Sequence, residues 1–83
     1  MKDGFIKVAA ATPSIRVADC KHNGEQMASM MRDASSKGTT LLVFPELSIT
    51  GYTCGDLFQQ EPLLRGAEQA IAHLCEVSRG LDM

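Results

Sequence analysis

Glu46 stands at a position where an acidic side chain could act as a general base. It follows the apolar run 41–44, and Pro45 fixes the backbone directly before it. In open α/β sheets, reactive groups gather beyond the carboxyl ends of the strands. A carboxylate that is partly removed from water and held on a rigid support is suited to accept a proton. The alternative interpretation is a solvated loop glutamate, or a charge at the start of a helix.

Cysteine and histidine side chains offer two other kinds of chemistry. Cys54 lies near Glu46 in the sequence and could be a nucleophile, although an unreactive loop thiol is the default interpretation. Four other residues could be imagined as zinc ligands: Cys20, His22, His73 and Cys75. They form two pairs whose members are two positions apart in helical stretches, so each pair points to different faces. We expect no metal site, and the glycine spacing fits no phosphate-binding loop or cofactor site.

The elements that must position Glu46 begin with a strand–helix–strand unit. Residues 5–11 predict the first strand, which Pro13 ends. A helix follows, capped by Asp19 and ended by Gly38. Its apolar face carries Asn23, Met27, Met30, Met31 and Ala34. Met residues at this spacing usually fill a core, and Asn23 among them indicates a structural amide that satisfies backbone groups near the active-site strands.

The second strand and second helix complete a β-α-β-α order. Residues 39–44 are apolar on both alternating faces, which is typical of a parallel sheet covered on both sides. The strand–helix–strand order at this spacing predicts a right-handed crossover. Pro62 opens the last helix and Gly80 ends it. The apolar face of that helix is Leu63, Ala67, Ala70, Leu74 and Val77. Two strands do not make a covered sheet, so we expect the front piece of a larger α/β domain, which associates with itself or with its remainder.

Composition excludes two classes of partner. The chain has 83 residues, a formal net charge of −2 and four aromatic residues. It therefore has neither the basic surface nor the aromatic platform for stacking bases that would predict nucleic-acid binding. The longest apolar runs are about four residues, whereas a membrane span needs roughly 20. Three cysteines without CxxC spacing favour free thiols and a reducing cytoplasm.

Residues 42–47 (Leu-Val-Phe-Pro-Glu-Leu), continued by residues 50–52 (Thr-Gly-Tyr), resemble the first catalytic motif of the nitrilase, or carbon–nitrogen hydrolase, superfamily. The first strand, Asp19 and Asn23 are similar to the opening strand–helix unit of that superfamily. Residues 51–58 (Gly-Tyr-Thr-Cys-Gly-Asp-Leu-Phe) are similar to one branch, the amino-terminal glutaminase domain of glutamine-dependent NAD synthetases.

The resemblance implies a fold and a role for the chain. Residues 1–83 would be the β-α-β-α piece of a nitrilase-like four-layer α-β-β-α sandwich, with the rest of the domain and any synthetase domain absent. Glu46 matches the glutamate of a Glu–Lys–Cys triad, the general base that activates a cysteine to attack glutamine. Tyr52 matches a tyrosine close to the glutamine pocket. Cys54 belongs to the loop pattern of the branch, and Asp56, Leu57 and Phe58 shape that loop.

The resemblance also implies partners and cofactors. Ammonia released from glutamine passes to a second domain, which adenylates deamido-NAD with ATP, so ATP and Mg²⁺ are expected there and no cofactor in this segment. The expected partners are the remainder of its own chain and further copies of it in a homo-oligomer. The expected location is the cytoplasm. The lysine and cysteine of the triad lie beyond position 83, so the segment is expected to be inactive alone. The alternatives are another superfamily amidase without a synthetase domain, and a non-catalytic α/β interaction module.

Overall fold

A parallel pair of strands joined by a helix forms the first part of the chain. The computed structural model describes residues 4–51, 55 and 60–83. Strand β1 spans Val8–Ala10, helix α1 Cys20–Ser36, strand β2 Leu41–Val43 and helix α2 Glu61–Ser78. The strands pair in parallel, with Val8 opposite Leu41 and Ala10 opposite Val43. The predicted α/β class and the β-α-β-α order are confirmed.

Both strands are shorter than the predicted 5–11 and 39–44. Backbone hydrogen bonds nevertheless extend the pairing by one residue at each end. The Thr40 amide donates to the Lys7 carbonyl at 2.7 Å, and the Ala11 amide donates to the Val43 carbonyl at 2.9 Å. Pro13 and Pro45 have no amide hydrogen to continue a ladder, so the pairing ends before each proline.

The predicted ends of helix α1 are confirmed. The Asp19 carboxylate accepts a hydrogen bond from the His22 amide at 3.1 Å, which satisfies one amide of the first turn. At the other end Gly38 has a φ of 82°, in the left-handed region that favours glycine. The amides of Gly38 and Thr39 donate to carbonyl groups of the last turn at 3.0 Å, the pattern of a Schellman motif.

Helices α1 and α2 pack closely because small residues lie between them. A Cβ added at Gly24 would lie 3.2 Å from the Cβ of Ala70, and one added at Gly66 would lie 3.5 Å from the Cβ of Cys20. Of the predicted inward face of α2, Leu63 and Ala70 are buried, whereas Ala67, Leu74 and Val77 are half-buried. Pro62 lies in the first turn of α2, as predicted.

The buried face of α1 differs from the predicted methionine stripe. Met27 is buried, but Met30, Met31 and Ala34 are only half-buried. The buried positions are instead Cys20, Asn23, Gly24, Met27 and Ala28. Helix α2 covers the side of α1 that carries Cys20 and Gly24, whereas Met30 and Ala34 border a groove beside the sheet.

One face of the sheet is open to solvent. Val8, Leu41 and Val43 are 59%, 52% and 54% exposed, whereas Ala9 and Leu42 on the opposite face are half-buried. Within residues 4–51, 55 and 60–83, the predicted cover on both faces is therefore present on one side only. No helix in these ranges has the length and apolar character to cross a membrane.

Candidate active site

Glu46 lies in a turn at the carboxyl end of β2, three residues beyond Val43. Its side chain is exposed, and its carboxylate has no hydrogen-bond or ion-pair partner in the part of the chain that the structure describes. The expectation that this carboxylate is partly removed from water is wrong for the part of the chain that the structure describes. Pro45 and Leu47 beside it are exposed as well, so neither covers the carboxylate. Glu46 is therefore available to another group at the edge of the sheet.

The turn that carries Glu46, residues 45–51, is closed by its own hydrogen bonds. The buried Ser48 hydroxyl donates to the Pro45 carbonyl at 2.6 Å, and the Gly51 amide donates to the Leu47 carbonyl at 2.7 Å. Leu47 has a φ of 60°, which is uncommon for a residue with a branched side chain. These contacts give the backbone on both sides of Glu46 a defined path.

Asn23 joins the 45–51 turn to the loop of residues 14–19, which follows β1. Its side chain has no solvent exposure. Its Oδ1 accepts from the Arg16 amide, and its Nδ2 donates to the carbonyls of Arg16 and Ile49, each at 2.7 Å. The predicted role of Asn23 as a structural amide that satisfies backbone groups is confirmed.

A second set of contacts connects the same two segments. The Ala18 amide donates to the Thr50 carbonyl at 2.7 Å. Gly51 has a φ of 91°, and a Cβ added there would lie 3.2 Å from the Cα of Val17. A glycine is thus favoured at this position both by the backbone conformation and by the close approach of the neighbouring loop.

The sequence predicted the positions of Glu46 and Asn23 but missed the connection between them. The partners of Asn23 are backbone groups of Arg16 and Ile49, whose side chains give no signal of this role. Ser48 was also missed, although a serine two residues after a carboxylate in a turn could have indicated a local hydroxyl–backbone bond.

Several other residues named from the sequence lie outside the described ranges. Tyr52 and Cys54 are among them, as are residues 56–59, so their predicted roles stay predictions. Of the imagined zinc ligands, Cys20 is buried and Cys75 is exposed. In the described parts of the chain, no group of three or more His, Cys, Asp or Glu residues could hold a metal ion.

A groove between α1 and α2 also carries polar side chains. It has a volume of about 390 Å³ and is lined by residues that include Lys21, Glu25, Gln69 and His73. Glu46 is not among the lining residues. The site at the sheet edge consists of the two connected loops and the carboxylate that one of them carries.

The chain belongs to the carbon–nitrogen hydrolase family, which it matches over residues 7–83. It is 36% identical over 78 residues to the glutamine-dependent NAD(+) synthetase of Mycobacterium tuberculosis H37Rv, an alignment that covers 94% of this chain and 12% of that enzyme.

Other similar proteins are a second synthetase and a probable nitrilase. The glutamine-dependent NAD(+) synthetase of Mycobacterium leprae is 31% identical over 78 residues, again 94% of this chain and 12% of the enzyme. A probable nitrilase of Schizosaccharomyces pombe is 38% identical over 55 residues, 64% of this chain and 20% of that protein. The chain thus spans a small part of the length of each of these relatives.

Proposed function

We propose that the chain supplies the general base of a glutamine amidohydrolase centre, which releases ammonia for the ATP-dependent amidation of deamido-NAD to NAD. The observation that carries this proposal is the similarity to glutamine-dependent NAD(+) synthetases over 94% of the chain, which includes the turn with Glu46. The position of this turn beyond a parallel strand supports the assignment, because that is where α/β proteins place reacting groups.

Glu46 has the chemistry that the first step requires. A cysteine from another part of the polypeptide loses its thiol proton to the Glu46 carboxylate, and the thiolate attacks the side-chain amide carbon of glutamine. A lysine stabilises the oxyanion of the tetrahedral intermediate. The carbon–nitrogen bond breaks, the nitrogen takes up the proton and leaves as ammonia, and a thioester remains. Water then cleaves the thioester to give glutamate and the free thiol.

The open sheet face supports the proposal that residues 1–83 are part of a larger four-layer domain. Val8, Leu41 and Val43 expose apolar surface that burial would stabilise by about 25 cal/mol per Å². Glutamine is the proposed substrate, with Tyr52 at its pocket, and ATP and Mg²⁺ are expected at a separate synthetase domain. A cytoplasmic location is part of the same proposal, and a homo-oligomer remains the expected assembly.

The test is the substitution Glu46→Gln in the full-length protein, with Glu68→Gln on the exposed side of α2 as a matched control. We expect Glu46→Gln to lower glutamine-dependent ammonia release by about 10²- to 10⁴-fold, the range of general-base catalysis. NAD formation from added ammonia should be unchanged, and Glu68→Gln should have no effect on either. Unchanged ammonia release in Glu46→Gln would remove Glu46 from the mechanism.

A second candidate function is an amidase that has no synthetase activity. The 38% identity to the probable nitrilase of Schizosaccharomyces pombe favours it. The same preparation separates the two candidates, because an amidase hydrolyses its amide but forms no NAD from deamido-NAD, ATP and ammonia. A full-length protein that shows neither activity would favour the third interpretation, a non-catalytic α/β interaction module.

A further inference from the structure

We propose that Asn23 is a positioning residue for catalysis, which fixes the turn that carries Glu46 against the rigid helix α1. This inference rests on the proposed role of Glu46 as a general base. The observation behind it is that the fully buried side-chain amide of Asn23, in the first turns of α1, binds the backbone of both loops at the candidate site.

The hydrogen bonds of Asn23 fix the orientation of its amide group. Two carbonyl oxygens, those of Arg16 and Ile49, face Nδ2, and one amide hydrogen, that of Arg16, faces Oδ1. Both hydrogens of Nδ2 are therefore used. A flipped amide would place its oxygen against two carbonyl oxygens, so only one orientation is compatible with the site. Among the uncharged side chains of this size, asparagine provides this combination of two donors and an acceptor.

Other residues anchor helix α1, so the described bonds of Asn23 serve the loops. The Asp19 carboxylate caps the helix, and Gly24 brings it against Ala70 of α2. The three side-chain bonds of Asn23 reach only Arg16 and Ile49, neither of which lies in a helix. Ile49 follows Glu46 by three residues within the same closed turn. The contact with Ile49 thus links the position of the carboxylate to the helix.

Loosening this link should affect the chemical step more than substrate binding. A general base must lie within hydrogen-bonding distance of the proton that it accepts, and a displacement of about 1 Å can cost about 10²-fold in rate. We therefore expect Asn23→Ala to lower the kcat of glutamine hydrolysis by about 10- to 100-fold, with a change in KM of less than about threefold.

The test compares variants of the full-length protein by the kcat for each titrated active site. Asn23→Asp keeps the acceptor for the Arg16 amide but places an oxygen against two carbonyls, and we expect it to lower kcat as Asn23→Ala does. Gly38→Ala is the matched control, because the φ of 82° at Gly38 makes it weaken the far end of the same helix without removing the bond to Ile49. We expect its kcat to stay within about twofold of the unmodified protein.

Gly51→Ala provides a second test if the Asn23 variants fail to fold. The added Cβ would lie 3.2 Å from Val17 and push the two loops apart while Asn23 stays intact. We expect the same fall in kcat. An unchanged kcat in folded Asn23→Ala, or in Gly51→Ala where Asn23→Ala is unfolded, overturns the inference, as does an equal fall in Gly38→Ala.

Glu46→Gln in the same assay separates the two proposals. If Glu46→Gln is inactive and Asn23→Ala has the full kcat, the positioning role fails while the proposed function stands. If Glu46→Gln is active, the proposed function fails, and the role of Asn23 fails with it.

Discussion

The substitution Asn23→Ala should lower the local stability of the candidate site by about 3 kcal/mol. Asn23 makes three side-chain hydrogen bonds of 2.7 Å, and its side chain has no exposure to solvent. A buried hydrogen bond contributes about 1 kcal/mol net, and its backbone partners in Arg16 and Ile49 would lose their bonds together. Since each 1.4 kcal/mol is a factor of ten, the loops should open roughly 100-fold more often.

Amide hydrogen exchange of the full-length protein, followed by mass spectrometry, measures this opening directly. We expect peptides that cover residues 14–19 and 45–51 to exchange roughly 100-fold faster in Asn23→Ala. Gly38→Ala destabilises the far end of α1 by about 1 kcal/mol, so its effect should be about fivefold and confined to that end of the helix. A change of less than threefold in the 45–51 turn of Asn23→Ala would refute the view that this amide holds the turn.

Substitutions at Gly24, Gly38 and Ala18 test the helix packing and the backbone conformation by the same exchange measurement. Gly24→Val should separate α1 from α2 and lower the stability of both by about 1–3 kcal/mol, because the Cβ of Ala70 lies 3.2 Å from the added Cβ. Combining it with Ala70→Gly should restore part of the lost stability, and no restoration would contradict the contact. Gly38→Ala should destabilise the end of α1 by about 1 kcal/mol through the φ of 82° alone, since a Cβ added there would have no atom of the described chain within 4 Å. Unchanged protection of these amides from exchange would argue against a left-handed Gly38. Ala18 has a φ of 60°, so Ala18→Val should cost at least about 1 kcal/mol more than Ala18→Gly, and equal protection in the two variants would count against this conformation.

Local signals account for the parts of the fold that were predicted. Asp19, Gly38 and Pro62 act on hydrogen bonds or dihedral angles within a few residues of themselves, and each lies at the helix end that it predicted. The apolar run before Glu46 predicted the second strand for the same reason. The length of that strand was not predicted well, because the ladder depends on which amides of the partner strand are available.

The buried side of α1 illustrates what periodicity alone leaves open. Met27, Met30 and Met31 lie on one face by spacing, yet only Met27 is buried. The contact with α2 runs instead along Cys20 and Gly24, where small side chains allow a close approach. Hydropathy does not indicate that a glycine will lie at the centre of a helix contact, because its contribution comes from the space that it leaves.

The amino-acid sequence by itself determined the order of the elements, the ends of both helices and the acidic residue beyond the second strand, because each depends on neighbouring residues. Only the tertiary structure decided that Asn23 binds Arg16 and Ile49 and so joins two loops that are far apart in the chain. The physical reason is that these partners are backbone groups, which every residue carries, so only the folded path of the chain selects them.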